Sequence, residues 1–208
     1  MQKKFKGKYL ILIIAVVLIV VVFFLSRQVI YPSKSNFKTF HFYQKTFKLP
    51  ERFVSAQSKA SLIGQEIVEI TSQTNQCIKK INILDLSGDY SEALNLIKIA
   101  REKNKQVYDL AFELSTALQE MTQSLSQFKS LEKRKIAQSA ISLELALISE
   151  FLNYTRLLND FFSHLSTAIS TNDFNSRHQL EKDLTKINGK IKVINSLNQQ
   201  FNQQIKKL

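Results

Sequence analysis

The sequence predicts an all-α protein: an N-terminal transmembrane helix followed by an antiparallel up-down-up-down four-helix bundle built from two long helical hairpins. Three observations predict it. Residues 9–26 form one charge-free, almost wholly apolar run. Residues 51–208 repeat apolar side chains in steps of three and four. The 208 residues include only four Gly and two Pro. So few helix breakers leave little material for the Gly-rich turns on which α/β architectures depend.

The apolar run reads YLILIIAVVLIVVVFFL and extends from Tyr9 through Leu10, Val17 and Phe24 to Leu25. At 1.5 Å per residue it is about long enough to cross a hydrocarbon core of roughly 30 Å. A cleaved signal peptide is the competing reading. The run exceeds a signal peptide's apolar region, however, and Phe24-Leu25-Ser26 offers no small-x-small cleavage site, so the expectation is an uncleaved, single-pass anchor. The domain plan is then a short basic tail at 1–8, the anchor at 9–26, a basic and aromatic juxtamembrane linker at 27–50, and the bundle at 51–208.

The net charge of +12 looks like a nucleic-acid signature until it is located. Lys3, Lys4, Lys6, Lys8, Arg27, Lys34, Lys38, Lys45 and Lys48 fall in the first fifty residues, which contain no acid. All 17 acids lie beyond Pro50 beside 20 of the 29 bases, so the bundle's net charge is only +3. The excess belongs to the membrane anchor and its flanks, and nucleic acid is not an expected partner. Lys4, Lys6, Lys8 and Arg27 flank the span, and Phe37, Phe40, Phe42 and Tyr43 alternate with lysines after it. Aromatics favour the interfacial zone and lysines favour anionic head groups, so the lipid bilayer is the first expected partner. A plain tether whose aromatics pack on the base of the bundle is the alternative for residues 27–50.

Positive charge is nearly balanced across the span, so the positive-inside rule alone does not orient it. A short tail with four lysines is costly to translocate, whereas a long C-terminal domain crosses despite its charge. The expectation is a cell-membrane protein with a cytoplasmic N-terminus and an extracytoplasmic bundle.

Four helices are read from their seams, over about 51–87, 90–128, 132–170 and 174–207. The first carries Phe53, Ala56, Ala60, Ile63, Ile67, Ile70, Thr74, Cys77, Ile81 and Leu84, a heptad series with one polar member. Gly88 can take the left-handed conformation that closes a helix. Asp89 with Glu92 three residues on has the spacing of a capping box. The second seam runs Ala93, Ile97, Ala100, Asn104, Val107, Ala111, Leu114, Leu118, Met121, Leu125 and Phe128.

The third seam, Ala137, Ile141, Glu144, Ile148, Phe151, Thr155, Leu158, Phe162, Leu165 and Ile169, is displaced by two residues from the second. Coiled-coil irregularities insert three or four, so a turn is expected around residues 129–135 rather than one long helix. Asp173 is the expected cap of the fourth helix, whose seam is Leu180, Leu184, Ile187, Ile191, Ile194, Asn198, Phe201, Ile205 and Leu208. Short connections make neighbours antiparallel.

No catalytic or metal-binding constellation emerges. Gly-rich phosphate loops, H-E-x-x-H and nucleophile elbows are missing from the sequence. By heptad position His164, Asp160 and His178 point away from the seam, and Glu144 is the one inward acid, whereas a carboxylate-bridged metal bundle needs several. Cys77 falls on the seam, where an apolar setting makes a thiol a poor nucleophile. The expectation is a non-enzyme without a cofactor.

Two features remain as candidates. Thr74, Asn104 and Thr155 fall at one height in the seams and predict a polar layer, either to fix register or to hold a small ligand or water. The third helix also has a face broader than a seam, flanked by Ala140, Leu147, Tyr154 and Phe161 on one side and Leu145 and Leu152 on the other. Most of this width is expected to be core, and Leu147, Tyr154 and Phe161 are the candidate partner-binding stripe within it. The expected function is a membrane-tethered interaction or scaffold protein that uses helix faces for a protein partner or self-association. The alternative is an extracytoplasmic ligand-sensing bundle acting through a separate signalling partner. The sensor domains of bacterial chemoreceptors resemble it at the level of fold alone.

Overall fold

A computed structural model of the chain describes residues 50–171 and 174–207. The expected tail, the anchor with Tyr9, Leu10, Val17, Phe24 and Leu25, the linker residues before Pro50, and the expected cap Asp173 lie outside the described residues. Within them the protein is all-helical. The helices are α1 (Glu51–Ser87), α2 (Tyr90–Ser124), α3 (Leu131–Thr171) and α4 (Phe174–Ile205), with a single 3-10 turn at Leu125–Gln127. Among the described residues there is no strand, and no helix is long and apolar enough to cross a membrane.

Contacts between helices fix their directions. Lys59 meets Glu120 and Gln73 meets Lys103, so positions rise along α1 as they fall along α2. Asn104–Thr155 with Arg101–Asn159 does the same for α2 and α3, and Glu150–Lys190 with His164–Asp183 for α3 and α4. Packing is most extensive within the pairs α1–α2 and α3–α4, and α2 against α3 joins the two pairs. Buried apolar side chains from all four helices form one cluster, in which Leu118 and Phe162 are wholly enclosed. Each such side chain contributes about 1.5–3 kcal/mol of burial.

Every residue of the second seam is buried, along α2 from Ala93 to Met121 and on through Leu125 and Phe128 in the turn, and Ala117 and Ser124 join them. In α1 the stripe shifts partway along: Ile70 is only half-buried, while Thr71, Asn75 and Ile78 are buried. A straight α-helix drifts by about 20° per heptad against a 3.5-residue repeat, so a long seam slides off its starting face. The first helix therefore buries more polar side chains than its heptads show. Asn75 and Thr74 answer this by donating to the carbonyls of Thr71 and Ile70, both at 3.0 Å.

The turns have identifiable causes. Gly88 takes φ 83°, and the N–H groups of Gly88 and Asp89 both reach the carbonyl of Leu84. The Asp89 carboxylate then accepts from the N–H of Glu92 at 3.3 Å and starts α2. The second turn begins earlier than the seams imply, because α2 ends at Ser124 rather than 128. Phe128 is extended, with ψ 123°, and its ring meets Phe53 edge-on at 5.0 Å. Ser130 caps α3 by accepting from the N–H of Lys133 at 3.3 Å, and the Arg134 guanidinium donates to the Phe128 carbonyl at 2.9 Å. No Gly or Pro is needed, since an aromatic anchor, a serine cap and an arginine brace hold this turn.

A cationic groove between the two hairpins

The candidate site starts from one buried pair. Asn104, at the middle of the α2 seam, donates from Nδ2 to the main-chain carbonyl of Thr155 on α3 at 2.7 Å. Both residues are buried, as is Thr74. The structure brings Asn104 and Thr155 together, whereas the Thr74 hydroxyl is satisfied within its own helix and the Thr155 hydroxyl donates to Leu152 O at 2.8 Å. An amide in an apolar seam is costly unless bonded, and this bond crosses the contact that joins the two hairpins.

Outside this pair, α2 and α3 part to leave a groove of about 760 Å³. Asn104 and Thr155 lie at its floor, and its walls carry Lys98, Arg101 and Lys105 from α2 and Arg156 from α3, against a single acid, Glu102. Lys105 pairs with Asp109 at 2.8 Å, and that carboxylate raises its pKa. Arg101 donates from Nε to the neutral amide of Asn159 at 3.3 Å. Among the described residues Lys98, Arg101 and Arg156 have no carboxylate partner. The groove thus concentrates positive charge on a domain that is otherwise close to balanced.

Beyond the cations the same walls turn apolar. On α2, Arg101, Lys105, Tyr108 and Phe112 follow one another at four, three and four residues, which places them on one helical stripe. Phe112 is 65 % exposed and Tyr108 46 %. On α3 the stripe through Arg156 passes Leu152 to Leu145, which is 40 % exposed. Because the helices are antiparallel, both walls run from cationic to apolar in the same direction.

This overturns the expected partner stripe. Leu147, Tyr154 and Phe161 are buried, with 6 %, 4 % and 5 % of their surface exposed. A helix packed against both α2 and α4 needs more than an a/d seam to fill its two contacts, and this flank supplies the extra width. Phe151 stacks on Tyr154 with centroids 5.8 Å apart, and burial holds the Tyr154 phenol well above its ordinary pKa. The opposite flank, Leu145 and Leu152, borders the groove.

A second cluster lies outside the sequence expectations. Asp183 of α4 is buried, accepts from Gln179 Nε2 at 3.0 Å and pairs with His164 Nδ1 at 2.6 Å. Glu144 is therefore not the one inward acid. Asp183 stands three residues after Leu180 and four before Ile187, which is seam spacing, so periodicity alone could have placed it inward. His178 lies instead beside Glu181, 3.7 Å away on the surface. Among the described residues no group of three or more His, Cys, Asp or Glu side chains is arranged to hold a metal ion. Cys77 is a buried free thiol.

Compared with known proteins, the chain matches no family model, no curated protein and no solved structure. The functional reading therefore rests on its own residues.

Proposed function

We propose that the chain is a membrane-tethered interaction protein without catalytic activity. A single span at residues 9–26 holds an up-down-up-down four-helix bundle outside the cytoplasm, and the bundle recruits a protein partner through the α2–α3 groove. One observation carries the choice of surface: among the described residues Lys98, Arg101 and Arg156 have no carboxylate partner, and they line the same groove as the exposed Tyr108. Charges arranged this way raise encounter rates with an oppositely charged partner, and exposed aromatics supply contact area. The apolar run and the basic first fifty residues support the tether.

Ligand sensing through a separate signalling partner is the second reading. The observation favouring it is that the groove reaches the buried Asn104–Thr155 pair, a setting suited to a small polar molecule.

The tether is tested on the full chain in native membranes. Retention in the membrane after alkaline carbonate washing, with the bundle digested by protease added from outside, is the expected result. Release by carbonate, or digestion only after the membrane is opened, contradicts it.

A further inference from the structure

We infer that the occupant of the α2–α3 groove is an acidic amphipathic helix of a partner protein, with carboxylates at one end and apolar side chains at the other. This rests on the reading of the groove as a partner surface. Its lining runs from Leu94 to Tyr108 on α2 and from Leu152 to Ser166 on α3. At 1.5 Å per residue each wall is about 21 Å long, the length of a helix of roughly 14 residues. Lys98, Arg101 and Lys105 sit on successive turns of α2. That spacing matches carboxylates repeated every three or four residues on a helix lying along the groove. Tyr108, at the end of the α2 lining, is exposed, and just beyond the lining Phe112 on α2 and Leu145 on α3 continue the two stripes and are exposed as well. A small anion satisfies one or two cations and leaves this apolar end uncovered.

The position of the groove favours a partner in the aqueous space over the head groups of the anchoring membrane. Lys103 donates to Gln73 at 2.5 Å, which sets the level of the groove along α1. Gln73 is 23 residues from Pro50, about 34 Å along the helix. The cationic end therefore lies toward the Gly88–Asp89 turn, away from the end at which the linker enters.

The test uses the full chain in phosphatidylcholine nanodiscs and a labelled synthetic 18-residue peptide, with Glu at three positions spaced four and three apart, followed by two Leu on the same face. Fluorescence anisotropy is expected to show saturable binding at low salt. The double substitution Arg101→Glu with Arg156→Glu should weaken it at least tenfold, and Phe112→Ser at least threefold, with unchanged thermal unfolding. Lys79→Glu with Lys192→Glu, at exposed positions on α1 and α4, alters net charge equally outside the groove and should change Kd less than twofold. Equal weakening by both double substitutions overturns the proposal, because the attraction is then diffuse. A peptide with Lys in place of Glu that binds as well also overturns it, as does inorganic phosphate that displaces the peptide at millimolar concentration or a single-stranded oligonucleotide that binds the groove more tightly. A protein cross-linked through groove positions in membranes, together with no groove-dependent peptide binding, overturns the acidic helix and leaves the partner surface standing.

Discussion

Asn104 and Thr155 are joined by a buried 2.7 Å hydrogen bond from the side-chain amide on α2 to the main-chain carbonyl on α3. It links the two hairpins where the cationic groove opens above them. A directional bond in a seam of interchangeable aliphatics distinguishes one alignment of α2 on α3 from neighbouring slips.

Asn104→Ala is therefore expected to cost about 1–3 kcal/mol, measured by urea unfolding, since it removes the bond and leaves a void. Asn104→Leu restores apolar volume and should stay within about 1.5 kcal/mol of the parent. Its expected signature is loss of uniqueness, seen as a broadened unfolding transition or mixed oligomers. A sharp transition and a monodisperse Asn104→Leu protein would show that register does not depend on this amide.

The His164–Asp183 pair makes a second, independent prediction. Asp183 is buried while His164 is partly exposed, so removing the imidazole leaves a carboxylate short of a partner in the interior. His164→Ala should destabilise by about 1–3 kcal/mol. Asp183→Asn, which removes the buried charge, should cost less in the His164→Ala background than in the parent. A double-mutant cycle with no coupling would contradict the pairing.

Tyr154 predicts how stability responds to alkali. Burial raises its pKa above the ordinary value of 10.0, so the folded protein keeps the phenol proton while the unfolded chain releases it near that pH. The contribution is fully present below pH 10 and is lost as pH rises further, with a slope of up to about 1.4 kcal/mol per pH unit. Urea unfolding between pH 9 and 11.5 should show this slope in the parent and a smaller one in Tyr154→Phe. Equal slopes would mean that the phenol is accessible.

Gly88 tests the first turn. An L side chain at φ 83° is strained, and no heavy atom stands within 4 Å of the position its Cβ would take, so the cost is conformational alone. Gly88→Ala should lower stability by about 1–2 kcal/mol, and Gly88→Asn by less. Equal losses for the two would point to packing instead.

Much of this architecture is legible in the sequence. The α2 seam can be read residue by residue, and Gly88 and Asp89 announce their turn, because heptad spacing and cap chemistry are local properties. What heptads miss is width and drift. Thr71 and Asn75 become buried as the α1 stripe rotates, and Leu147, Tyr154 and Phe161 become core because α3 serves two neighbours. The groove is harder still to see. Lys98, Arg101 and Arg156 are ordinary surface bases in sequence, and only the separation of α2 from α3 gathers them in one groove against the lone acid Glu102 of its lining. Leu145 and Leu152 do carry a signal, as apolar residues off the seam, but sequence does not tell which flank of α3 faces water.

We propose that this groove is the surface through which the bundle meets a partner protein. Photo-cross-linking amino acids placed at Lys98 and Asn153, inside the groove, and at the exposed Lys79 and Lys192 on α1 and α4 test it in native membranes. One discrete protein adduct is expected from the groove positions, abolished by Arg156→Glu and absent from Lys79 and Lys192. Adducts of equal yield from all four positions, or from the control positions alone, would contradict it.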